Sequence, residues 1–157
     1  VARRILLGSG AGIFFAIAAA TVVGCGSDGS NPGTGVQMSN APAAKFSDIY
    51  AMAFPSMTEP RCEFCHGMPA NEVSNGKLHL GMDPATAYAA LVGKVSVSAA
   101  CMGRTLVDPG HPETSLFYLK LSPSPPCGNR MPNGGKPFTD VQLEMVRSWI
   151  AAGAAND

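Results

Sequence analysis

The chain has 157 residues, of which 46% are hydrophobic and only 14% charged, against about 25% charged in an average soluble domain. Basic and acidic residues balance at 11 each, and no basic run interrupts that balance, which argues against a nucleic-acid partner because a phosphate-binding surface needs a basic excess. The length allows one small domain, and 18 glycines with 13 prolines make it loop-rich without reaching the roughly 25 to 30% typical of disordered chains.

Arg3 and Arg4 precede an uncharged stretch from Ile5 to Val23. A basic start, an apolar run and small residues before a cut site make residues 1–24 a secretory signal, so the body is expected outside the cytoplasm. Val22-Val23-Gly24-Cys25 resembles a bacterial lipoprotein box. That resemblance implies a lipid on Cys25, and two or more acyl chains form a lasting anchor. The rival reading is an uncleaved membrane helix, weakened by Gly8, Gly10, Gly12 and Gly24. In lipoproteins of this type an Asp after the cysteine commonly retains the protein at the inner membrane. Gly26 stands there, so a periplasmic or cell-surface position on the outer membrane is expected. Residues 25–44 are rich in Gly, Ser, Asn and Pro without apolar periodicity and read as a flexible tether, leaving 45–157 as the folded domain.

Four segments of that domain carry helix signals, and none shows a sustained strand alternation. The first runs from Lys45 to Phe54, with Phe46, Ile49, Tyr50 and Phe54 at helical spacing before Pro55. The second opens at Asp83-Pro84, a cap followed by proline at the first helical position, and closes at Gly93. The third follows Pro112 and carries Leu116, Phe117, Leu119 and Leu121 up to Ser122-Pro123. The fourth starts at a capping box, Thr139 with Gln142, and places Val141, Met145, Val146, Trp149 and Ile150 on an apolar face before Gly153. An all-α domain of about four helices with long loops is expected.

Cys62-Glu63-Phe64-Cys65-His66 is the stretch that carries chemistry. At this composition about 0.003 chance matches to C-x-x-C-H are expected, and the pattern is that of covalent haem attachment. Two thiols three residues apart on a helical turn can add to the vinyl groups on one edge of a haem, and the adjacent imidazole then binds iron. Two rivals use the same residues. A thioredoxin-like dithiol calls for a strand-helix-strand context, and a zinc site calls for a further ligand pair. With Cys25 assigned to lipid and Cys62 and Cys65 to thioethers, Cys101 and Cys127 are left to each other in an oxidising compartment. The alternative is a pair of buried thiols. Met131 is the foremost candidate for the sixth iron position, because Arg130-Met131-Pro132-Asn133-Gly134-Gly135 has no apolar pattern to explain a methionine and forms a stiff turn. Met57, Met68, Met82 and Met102 are alternatives, and His79 is the candidate for a bis-histidine centre. Met52 and Met145 read as core, and His111 as exposed beside a helix start.

The order of elements, from a first helix through C-x-x-C-H to the Met131-Pro132 loop and a C-terminal amphipathic helix, resembles a monohaem class I cytochrome c. Asp108-Pro109-Gly110-His111-Pro112, Ser115 to Lys120, Arg130-Met131-Pro132 and Thr139 to Gly153 look more specifically like the cytochrome c-like domains of lipoproteins from myxobacteria and planctomycetes. The resemblance implies a cytochrome c-like fold around one covalent haem c with His66 and Met131 as iron ligands. It implies electron transfer with redox partner proteins, not catalysis, and no small-molecule substrate. A small-ligand haem sensor and a small peroxidase-like haem enzyme are the rival functions, each requiring an open sixth position. The segment from Cys62 to Met131 is longer than in the smallest cytochromes, and many of them lack a counterpart of Cys101 and Cys127.

Overall fold

The computed structural model describes residues 44–68 and 77–157. The expected signal sequence, Cys25 and the expected tether up to residue 43 lie outside the described residues. Ala44, the last residue assigned to the expected tether, is half-buried and packs against the core. No helix among the described residues is long and apolar enough to cross a membrane.

The described residues form five helices: α1 (Phe46–Ala53), α2 (Cys62–His66), α3 (Pro84–Leu91), α4 (Leu116–Leu121) and α5 (Asp140–Ala151). Local chemistry accounts for their ends. The Asp83 carboxylate accepts the Thr86 N–H at 2.9 Å ahead of Pro84, and Thr139 and Gln142 make a reciprocal capping box on α5. α1 packs on α3 and α5, and α4 packs on α5. Phe46 is the hinge of this packing, with ring centroids 5.2 Å from Trp149, 5.4 Å from Tyr88 and 5.9 Å from Phe54. Aromatic rings at tilted and edge angles gain about 0.5–1.5 kcal/mol per pair beyond their burial.

Two expectations for α5 need correction. Val141 is 73% exposed, and Met145 is half-buried and outside the apolar cluster. The core-facing stripe is half-buried Leu143 with buried Val146 and Ile150 at i, i+3 and i+7, and Trp149 beside it, which turns Val141 towards water.

No strand forms among the described residues, but 92–107 is a narrow finger closed by two isolated bridges, Val92 with Val107 and Val95 with Thr105. Backbone bonds from Leu106 N to Lys94 O (2.7 Å) and from Ser96 N to Arg104 O (2.8 Å) hold it. Cys101, near its tip, is joined by a disulfide to Cys127, with Cα atoms 5.6 Å apart. Ser115 fastens the start of α4: its buried hydroxyl accepts the Asp108 N–H at 2.9 Å and donates to the His111 carbonyl at 2.8 Å. His111 itself is exposed.

Candidate functional site

The C-x-x-C-H motif and helix α2 coincide residue for residue, Cys62–His66. On a helix, positions i, i+3 and i+4 share a face, so Cys62, Cys65 and His66 line one side of α2. Cys62 and His66 are half-buried and Cys65 is exposed. The chain enters the helix through Arg61, whose left-handed backbone (φ 59°) reverses direction, and the guanidinium lies 5.1 Å from the centroid of the Phe64 ring.

A short segment, Leu78 to Leu80, runs beside the end of α2 and holds it by three bonds. The His66 Nδ1–H donates to the Leu78 carbonyl at 3.0 Å, and the Leu80 N–H donates to the His66 carbonyl at 2.8 Å. His79 Nε2–H donates to the Gly67 carbonyl at 3.0 Å, which leaves Nδ1 as the only His79 nitrogen with a lone pair. Because a carbonyl only accepts, the proton of neutral His66 resides on Nδ1 and the lone pair on Nε2. Burial holds the His66 pKa below the usual imidazole value, against a smaller opposite effect of the Leu78 carbonyl. The ring is therefore neutral near pH 7 and able to ligate a metal through Nε2.

Cys62 behaves oppositely to an attacking redox thiol. Burial pushes its pKa up to about 12, whereas a thioredoxin-type nucleophile needs a lowered value. Among the described residues no three His, Cys, Asp or Glu side chains converge where a metal ion could sit. Cys62, Cys65 and His66 thus lie on one face of α2, the face on which the C-x-x-C-H spacing leads one to expect a haem.

Met131 is half-buried, packs against the core, and donates its N–H to the Lys120 carbonyl at 2.7 Å. The turn after it approaches the entry to α2: a Cβ at Gly135 would lie 2.9 Å from Pro132 Cβ and 3.8 Å from Glu59 Oε2. The Met131-Pro132 loop and the Glu59-Pro60-Arg61 lead-in are thus neighbours. Met57, Met68, Met82 and Met102 are all more than half exposed.

Sequence reasoning missed Glu63. It is 8% exposed, accepts hydrogen bonds from the Tyr50 hydroxyl and the Ser56 N–H (3.3 Å), and its own N–H donates to the Phe54 carbonyl at 2.9 Å. It binds α2 to the end of α1. Burial, and then the Glu63 carboxylate, raise the Tyr50 pKa and keep its hydroxyl a donor. The only sequence signal was a charged residue between two cysteines whose partners lie outside the motif.

Compared with protein-family models, curated proteins and solved structures, the chain matches none.

Proposed function

We propose that the domain is a cytochrome c-like electron carrier with one covalently attached haem c, held by Cys62, Cys65 and His66 and completed by Met131. The observation that carries this reading is the His66 imidazole, fixed by the Leu78 carbonyl in the tautomer that presents Nε2, on the same helical face as two cysteines at thioether spacing. His66 and Met131 would together hold the iron, and a group held so on both sides would supply one-electron exchange and leave no position for a substrate. The protein's share is to hold His66 neutral and oriented, to keep α2 docked on α1 through Glu63, and to hold the loop that delivers Met131. Lipid on Cys25 would tether this carrier to the outer membrane, within reach of redox partner proteins.

The test is a spectrum and a titration. Sulfur ligation to ferric iron gives a weak charge-transfer band in the red. Wild-type protein should show that band, change oxidation state reversibly at an electrode and resist carbon monoxide. Met131→Ala should lose the band, keep its haem, gain carbon monoxide binding and fall in potential, because a thioether favours ferrous iron. Ready binding of carbon monoxide by the wild type would instead favour the sensor or peroxidase-like readings.

A further inference from the structure

We infer that Lys120 is the positioning residue that holds Met131 over the iron, an inference that rests on the His66 and Met131 ligation proposed above. Lys120 lies in α4 among Leu116, Phe117, Tyr118, Leu119 and Leu121, and it is half-buried. Its ammonium donates to the Cys127 carbonyl at 2.9 Å and also to the Asn129 carbonyl. Its own carbonyl accepts the Met131 N–H at 2.7 Å. One residue therefore grips the loop before Met131 with its side chain and Met131 itself with its backbone.

The loop is shaped to this ammonium. Gly128 has a left-handed backbone (φ 59°), which favours glycine, and a Cβ there would lie 3.2 Å from Lys120 Nζ, so the ammonium would have to shift by a few tenths of an ångström. Two neighbouring bonds complete the anchorage: Arg130 Nε–H donates to the Leu121 carbonyl at 3.0 Å, and the disulfide ties Cys127 to Cys101. Of these, only Lys120 reaches both sides of the turn. A thioether is a weak iron ligand, so its occupancy depends on how narrowly the loop restricts it.

The experiment compares wild type, Lys120→Met and Met131→Ala, each with haem attached. Lys120→Met keeps the length of the side chain and removes the ammonium. It should shift the equilibrium between bound and open Met131 about tenfold or more towards open, as loss of a charge-assisted hydrogen bond does. The red band should weaken, the potential should fall and carbon monoxide should bind, while haem content and Trp149 fluorescence stay as in wild type. Lys120→Arg should restore part of the band. A loop anchor of purely structural effect would lower the melting temperature and leave band and potential unchanged, and that result overturns the inference while the carrier reading stands. Absence of the band from wild type, with Met131→Ala indistinguishable from it, removes the parent reading and this one together. Should Lys120→Met fail to fold, Lys120→Gln removes the ammonium while keeping a polar side chain. It should weaken the band likewise, and an unchanged band contradicts the inference.

Discussion

The Nδ1–H of His66 is bonded to the carbonyl of Leu78 at 3.0 Å. The bond ties the only histidine of the C-x-x-C-H motif to a residue 12 positions further along the chain, and it decides which nitrogen carries the lone pair. A backbone acceptor cannot be removed by a side-chain substitution at Leu78, so the orientation of His66 depends on that segment keeping its course beside α2.

Glu63 and Tyr50 are expected to govern how firmly α2 is held. Tyr50→Phe removes a hydrogen bond to a buried carboxylate, and such bonds contribute about 1.5–3 kcal/mol. Chemical denaturation should show a loss of that order. The yield of haem-loaded protein should fall with it, because an undocked α2 presents Cys62, Cys65 and His66 less uniformly. Unchanged stability in Tyr50→Phe would show that the Ser56 and Phe54 bonds suffice.

The disulfide between Cys101 and Cys127 closes 26 residues, for which chain entropy gives roughly 3.5 kcal/mol. Replacing both cysteines by alanine should lower stability by about that amount in denaturant titrations. Peptide mapping without reduction should recover the two segments joined, and alkylation of both in the native, unreduced protein would deny the bridge.

Acid should weaken the fold through two exposed carboxylates. The Ser47 hydroxyl (2.6 Å) and N–H (3.1 Å) hold Asp157 below the usual carboxylate range, and the Thr86 hydroxyl (2.6 Å) and N–H (2.9 Å) do the same for Asp83. A carboxylate whose folded pKa is depressed contributes fully above its unfolded value of about 3.9, and the contribution is lost as pH falls through the folded value. Melting temperature should therefore drop on the acid side of that point. Asp157→Asn should flatten the decline, and an identical acid profile in the variant would contradict the assignment.

Much of this was legible because the signals are local. Thr139 and Gln142 announce α5 within a single turn, Asp83-Pro84 announces α3, and C-x-x-C-H is a contiguous motif whose spacing states its geometry. Cys101 and Cys127 could be paired from the count of cysteines and the compartment. The 92–107 finger was not legible: Val95-Ser96-Val97-Ser98 alternates over only four residues, and its valines are exposed while Ser96 is buried, the reverse of a core-facing strand. Glu63 and Lys120 were missed for a related reason. Each is a charged residue whose role is set by partners elsewhere in the chain, Tyr50 and Ser56 for one and Cys127 and Asn129 for the other.

The most direct test of the account is whether haem remains on the denatured chain. Protein made in a host able to attach haem should keep one haem on a denaturing gel and carry the mass of one haem beyond the polypeptide. Serine at both Cys62 and Cys65 should abolish that retention. Release of all haem from wild type by acid–acetone extraction would contradict covalent attachment and, with it, the central claim.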